Sequence, residues 1–382
     1  MALVLSEEQQ LLQATAREFV AGKAPLAHAR ALRDDPEGVG FSRALWREMA
    51  QLGWAGIVLP ESYGGAGLGY VDLMVVMEEL GRALVPEPML SSVLLGANAV
   101  LLGGSEAQRA ALLPGVAAGE TLLTLAYQEP GSRYDARHVA TCAERSGDGH
   151  RLTGTKVNVL DAVAADHLVV SARTAGAARS AEGVTLFLVP RDAPGLTVER
   201  QRRLDGRVTG LVTLGEVPVG ADAVLGEPGQ GAALLTRVLD RATVALTAEM
   251  LGGMQATFEM TLDYLKTRQQ FGKPIGSFQA LKHRAARLYV ELELSRSIVM
   301  AAHQALDDGR DDAQVARLAS IAKARCSDTF LLLGNEGVQM HGGIGMTDEH
   351  DVGLFLKRAR ATEIELGDAA WHRNRVATLD GY

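Results

Sequence analysis

Tyr264-Leu265-Lys266-Thr267-Arg268-Gln269-Gln270-Phe271-Gly272-Lys273-Pro274-Ile275-Gly276-Ser277-Phe278-Gln279-Ala280 ends one long helical segment and opens another. The first segment reads as helix over residues 232–266, the second over 277–307 after a Pro-Ile-Gly turn. Arg268 falls at the end of the first, and Ser277 is placed to cap the second with the Gln279 amide beside it. An arginine is always charged, and its planar fork suits a diphosphate. Helix starts attract anions. A plain helix–helix corner with a solvated arginine would carry the same residues.

Downstream, residues 311–339 form a third long helical pattern. It runs into Gln339-Met340-His341-Gly342-Gly343-Ile344-Gly345. Glycines without Cβ let backbone approach a flat or charged ligand closely, although an inter-helix turn uses them too. About two more helical turns are expected after it. Upstream of residue 229 the pattern changes. Short β-rich runs at 122–127, 150–160, 167–170, 184–189, 196–198 and 211–214 predict a small antiparallel barrel or sandwich. The turn Gly147-Asp148-Gly149 precedes the second of them. The first 120 or so residues are helical again. Ser6 and Gln9 have capping-box spacing, and helical faces recur at 41–52 and 72–81. A Gly-rich loop at 59–67 separates those two. The expectation is an α+β multidomain chain: helices over 1–121, an antiparallel β domain over 122–226 and a four-helix-type bundle over 227–382.

The composition narrows the possibilities. The chain has 382 residues, 47% of them hydrophobic and 22% charged, which suits two or three globular domains. Its net charge of −8 argues against binding nucleic acid. The two cysteines, Cys142 and Cys326, allow neither a disulfide scaffold nor a four-cysteine zinc site. The amino-terminal stretch does not read as a signal peptide, and no apolar run is long enough for a bilayer. A cytoplasmic protein without a membrane segment is therefore expected. G-x-G-x-x-G after a strand, the P-loop, G-x-S-x-G and H-E-x-x-H are all missing from the sequence. His341 and His350 could be metal ligands only as isolated loop histidines, so no metal is expected.

Taken together, the corner and the Gly-rich loop resemble the acyl-CoA dehydrogenase family. Its R-x-x-F-G-x-x-I-x-x-F-Q corner and Q-x-x-G-G-x-G loop are both present at the family's mutual spacing. Gln128-Glu129-Pro130-Gly131 stands where the family has T-E-P-G, and the segment from Leu59 to Gly67 matches as well. The resemblance spans essentially the whole chain and implies FAD as cofactor, extended between the β domain, the helical bundle and a neighbouring subunit. It implies that Arg268 meets the diphosphate of the neighbour's FAD, with Phe271 beside it and Gln279 near the adenine-ribose part. Gln339, Gly342 and Gly343 would wrap the other end. Tyr127, Gln128 and Asn158 would lie by the isoalloxazine ring. The implied reaction is α,β-dehydrogenation of an acyl-CoA thioester. A carboxylate takes the α-proton, the flavin takes a hydride, and hydrogen bonds steady the enolate. An electron-transfer flavoprotein is the implied electron acceptor, and a dimer or tetramer, homo- or hetero-oligomeric, the implied assembly.

The sequence departs from the family at its base. The usual Y-E-G-T glutamate aligns with Leu366, which cannot abstract a proton but could donate its backbone N–H to the thioester carbonyl. Asp368 replaces the threonine that faces an FAD phosphate, where it could repel that phosphate or contact the ribose. The alternative family position for the base, on the helix before Arg268, is Ala242. Glu249 lies seven residues further on, about 700° of helical rotation and roughly 10 Å along the same face. Its neighbours are apolar, so it is the leading candidate. An interface glutamate paired with Arg241 or Arg287 is the competing reading, and Glu365 is the third choice. The missing base leaves two alternatives: a base-less partner subunit of a two-subunit acyl-CoA dehydrogenase, or a flavin monooxygenase on the same fold. The displaced base suggests a branched, cyclic or otherwise bulky acyl group.

Overall fold

Apolar periodicity and caps set the helices. The computed structural model describes residues 4–180 and 182–382; residues 1–3, where the amino-terminal stretch begins, lie outside it, as does Ala181. Helix α1 (Glu7–Lys23) starts at Ser6, whose hydroxyl accepts from the Gln9 N–H while the Gln9 side chain accepts from the Ser6 N–H. Then come α2 (Leu26–Asp34), α3 (Arg43–Gln51) and α4 (Tyr70–Arg82). A π-helical segment, Met89–Ala97, leads into α5 (Asn98–Gly103) and α6 (Glu106–Ala117).

Eight strands follow: β1 (Leu123–Ala126), β2 (Cys142–Ser146), β3 (Gly149–Leu160), β4 (His167–Arg173), β5 (Val184–Pro190), β6 (Leu196–Arg202), β7 (Val208–Val219) and β8 (Val224–Leu225). They form one sheet in the order β6-β7-β3-β2-β4-β5-β8, with β1 beside β4. Most pairings are antiparallel, as expected. Two are parallel, β1 with β4 and β2 with β4, so the sheet is mixed. One face of it packs Val159, Leu168, Val170, Phe187, Val212 and Leu214 into a common core.

The carboxy-terminal part is α7 (Gly231–Thr267), a two-residue hairpin of β9 (Gln269–Gln270) and β10 (Lys273–Pro274), α8 (Gln279–Asp307), α9 (Asp312–His341), α10 (Val352–Ile364) and α11 (Ala369–Leu379). The last two are full helices, more than the two turns expected of this stretch. The start of α8 also differs from expectation: Phe278, not Ser277, is its N-cap, and no side chain caps it.

By compactness the chain falls into two units. One holds Met1–Arg33, Gly69–Val85 and Thr243–Tyr382; the other holds Asp34–Leu68 and Pro86–Ala242. Within the first, glycines let α4 and α7 meet backbone to backbone. A Cβ on Gly81 would sit 2.0 Å from the Glu249 carbonyl oxygen, and one on Gly252 only 1.8 Å from that of Glu78. No larger residue fits either place without moving a helix. This crossing fixes the stretch of α7 that carries Glu249.

Candidate active site

The α7–α8 corner is a tight hairpin. Gln270 faces Lys273 across Phe271 (φ 55°) and Gly272 (φ 75°), two successive left-handed residues that suit a type I′ turn. Glycine takes that conformation freely, whereas a phenylalanine there is strained by about 1–3 kcal/mol. The turn leaves Phe271 89% exposed. The Arg268 backbone is anchored at both ends, its N–H donating to Tyr264 and its carbonyl accepting from Ile275. Its exposed guanidinium has no hydrogen-bond or ion-pair partner among the described residues. Gln279, the first residue of α8, is exposed as well.

The end of α9 sits beside this corner. The Tyr264 and His341 rings lie 4.5 Å apart, and the tilted His350 ring lies 4.3 Å from His341. His341 bonds the Gly337 carbonyl through Nδ1 at 2.7 Å, so Nδ1 carries the proton. Burial pushes this imidazole below its ordinary range, which keeps it neutral. The ring contact holds Tyr264, four residues before Arg268, against the residue that precedes Gly342. Gln339, Gly342 and Gly343 are not buried, and a Cβ on either glycine would meet nothing within 4 Å. Arg268, Phe271, Gln339 and the two glycines therefore belong to one end of the helical bundle.

In the sheet unit, Tyr127, Gln128 and Asn158 are half-buried and linked. Asn158 Nδ2 donates to Gln128 Oε1 at 3.2 Å, and Gln128 Nε2 donates to the Tyr127 hydroxyl at 3.2 Å. Asn158 has φ 52° where the register of β3 against β7 shifts. Glu129, next to Gln128, is buried. Its carboxylate accepts from Lys156 Nζ at 2.6 Å and from the N–H groups of Ala140 and Thr141. Burial opposes its charge, but the Lys156 ammonium and these bonds prevail and hold the carboxyl below the usual range. The pair pins the strand behind Gln128 and Asn158.

Glu249 is buried, 5% exposed. Its Oε1 accepts from Arg358 Nε at 2.9 Å and Nη2 at 2.8 Å. Arg358 stands on α10, so the pair ties α7 to the helix whose carboxy-terminal end leads to Leu366. The competing reading of the sequence names Arg241 or Arg287 as the partner; Arg358 is a buried partner it does not name. Glu365 is buried too, at 4%. The Asp368 carboxylate accepts from the Trp371 N–H at 2.8 Å and so caps α11.

Leu366 is 7% exposed with φ 58°, and Gly367 follows with φ 113°. Buried Lys323 donates to Gly367 O at 2.7 Å, Glu363 O at 3.1 Å and Ser327 Oγ at 3.0 Å. Burial pushes its ammonium down to about 8. His372 Nε2 lies 3.1 Å from Leu366 O, an acceptor, so Nε2 carries the hydrogen. Burial, reinforced by the charges of Lys323 and Arg375, pushes that imidazole down to about 3. Sequence reading misses Arg358, Lys323, His372 and Lys156. A lysine within Ser320-Ile321-Ala322-Lys323-Ala324 is a usable signal, because buried lysines need dedicated acceptors.

These residues fit FAD. An unpartnered arginine suits its diphosphate, an exposed aromatic ring and side-chain-free glycines suit flat surfaces, and linked amides suit its ring edge.

Comparison with known proteins agrees. The acyl-CoA dehydrogenase N-terminal domain matches residues 6–120, the middle domain 124–213 and the C-terminal domain 229–378. Mitochondrial isovaleryl-CoA dehydrogenase of Pongo abelii is 32% identical over 97% of this chain and 88% of its own. A solved variant of the Tcur3481-Tcur3483 steroid ACAD is 35% identical with a TM-score of 0.87, covering 98% of both chains. The ChsE4-ChsE5 complex from Mycobacterium tuberculosis is 28% identical with a TM-score of 0.89 over all of both chains. No helix among the described residues is long and apolar enough to cross a membrane. The chain belongs to the acyl-CoA dehydrogenase family of FAD-dependent oxidoreductases, with that family's helical, sheet and helical domains.

Proposed function

We propose that this chain dehydrogenates a bulky acyl-CoA thioester, with Glu249 removing the α-proton and the Leu366 N–H donating to the thioester carbonyl. The observation that carries this reading is Glu249 itself. It is a buried carboxylate on α7, held in one orientation by Arg358, while a leucine fills the family's usual base position. Bound FAD supplies the oxidising half of the reaction. The chain's own residues orient the thioester, exclude water and accept one proton.

Arg268, Phe271, Gln279, Gln339, Gly342 and Gly343 hold FAD in this reading, together with Tyr127, Gln128, Asn158 and Asp368. Accessibility of the first six on a single chain supports a site completed by a second subunit, hence a dimer or tetramer. Likeness to a structure described as a steroid ACAD supports a polycyclic acyl group. An electron-transfer flavoprotein takes the electrons, and the enzyme works in the cytoplasm. Domain boundaries at 121/122 and 226/227 are part of this reading, and gaps between the family matches at 120–124 and 213–229 support them.

One observation favours a second reading. Both Arg358 donors converge on one Glu249 oxygen, so the carboxylate is engaged before any substrate arrives. In that case the chain is the base-less member of a two-subunit enzyme, and a different partner supplies the base.

The experiment is Glu249→Gln. The variant should keep its flavin spectrum while flavin reduction by a CoA thioester slows at least about 10²–10⁴-fold, the range for a lost general base. Unchanged reduction would sink the assignment and leave the two-subunit reading.

A further inference from the structure

The turn between α10 and α11 is held more tightly than a surface connection requires. An ammonium has three protons, and Lys323 gives one each to Ser327 Oγ, Glu363 O and Gly367 O. His372 takes Leu366 O. A Cβ on Gly367 would lie 2.7 Å from both His372 Nε2 and the Trp371 ring, so the imidazole packs directly on this glycine. The Glu365 N–H donates to Ala361 O and the Gly367 N–H to Ile364 O. Between them, the Leu366 N–H has no acceptor among the described residues, although Leu366 is 7% exposed. An N–H in a buried residue that finds no acceptor loses its bond to water without replacement. Burying the Lys323 ammonium costs solvation as well, and an apolar residue of the same length would avoid that cost. Two unfavourable choices at one turn make sense if the turn must present this N–H to an oxygen that arrives with a ligand.

We propose that Lys323 and His372 are positioning residues: by fixing the carbonyls of Glu363, Leu366 and Gly367, they hold the Leu366 N–H in place to donate to the thioester carbonyl. The inference rests on the acyl-CoA reading above. The bonds of Lys323 and His372 go to the backbone of the turn and to Ser327 Oγ. Each acts through the backbone of the turn.

The test uses FAD-loaded enzyme in its native assembly, with isovaleryl-CoA and a steroid side-chain CoA thioester as probes. Lys323→Met and His372→Leu remove the anchors, while His372→Gln keeps an N–H donor. The first readout is the kinetic split. Misplacing a catalytic group by about 1 Å costs on the order of 10²-fold, so kcat should fall about 100-fold in Lys323→Met while KM moves less than about threefold. The second readout does not depend on turnover. Isotope-edited infrared spectra of a bound 2-enoyl-CoA, labelled with ¹³C at the thioester carbonyl, should show the stretch shifted down in the wild type. The shift should be lost in Lys323→Met and His372→Leu and restored in His372→Gln. Wild-type carbonyl shifts in both anchor-removing variants would overturn the proposal. So would activity losses that only track lost FAD, since that is a structural role. Should Lys323→Met fail to fold, the two His372 variants decide alone. If the wild type neither loses its flavin colour with either thioester nor shifts the carbonyl, the acyl-CoA reading fails and the inference falls with it; failure in the variants alone condemns only the inference.

Discussion

At the scale of single residues, the buried charges and imidazoles decide the pH response. His303 is fully buried, its Nδ1 donating to Val299 O at 2.8 Å, and burial pushes its pKa down to about 4. Unfolded histidine titrates near 6.5. Between about pH 6.5 and 4 the unfolded chain therefore binds a proton that the folded chain refuses. Stability rises with pH across that window and is lost on acidification, by up to about 3 kcal/mol for this one group. His303→Leu should flatten the fall in melting temperature between pH 6.5 and 4.5; a profile parallel to the wild type would refute the attribution. Glu129 gives a sharper case. Glu129→Gln leaves Lys156 buried without its carboxylate, and breaking such a pair costs roughly 3–5 kcal/mol. A denaturant midpoint that barely moves would contradict the importance given to that pair. Neither partner announces itself in sequence, because Glu129 and Lys156 are 27 positions apart on different elements.

Among elements, the long periodic helices and the apolar strands are legible in the amino-acid sequence, since their pattern and caps come from neighbouring residues. Ser6 with Gln9, the run of α7 and the alternation in β3 all announce themselves locally. What escapes is determined by distant partners or by weak patterning. Helix α2 buries none of its residues, and β2 is mostly exposed, so neither carries a strong apolar signal. The parallel pairings of β1 and β2 with β4 depend on chain far away in sequence. The α7–α8 corner reads as a junction of helices, whereas the left-handed Phe271 makes it a hairpin. The helix crossing at Gly81 and Gly252 likewise depends on closeness that no pattern encodes. Gly252→Ala drives a methyl onto the Glu78 carbonyl, so it should destabilise by about 1–3 kcal/mol or more. It should also slow flavin reduction, because the same crossing seats Glu249. A variant with wild-type stability would mean that the two helices slide apart freely.

For the molecule as a whole, the motif residues gathered at one end of the bundle are exposed on the single chain. In the proposed site Arg268 meets the FAD diphosphate, and a charge-assisted bond of that kind is worth about 1.5–3 kcal/mol. Arg268→Ala should therefore weaken FAD retention roughly 10- to 100-fold, read by flavin released on gel filtration, with little change in fold. Retention equal to the wild type would remove Arg268 from the cofactor site. The candidate set as a whole is readable because its motifs are short and contiguous. The supports behind it are not. Arg358 reaches Glu249 across 109 positions and Lys323 reaches Gly367 across 44, while His372 lies near Leu366 in sequence but in a turn that no periodic pattern marks. The central claim is that Glu249 takes the α-proton, and proton exchange tests it without relying on turnover. Oxidised, FAD-loaded enzyme is mixed anaerobically in D₂O with a 3-thia-acyl-CoA, which has acidic α-protons but no β-carbon to oxidise. The account predicts that the wild type washes deuterium into the α-position and that Glu249→Gln, with its FAD in place, does not; equal exchange in the two proteins would contradict it.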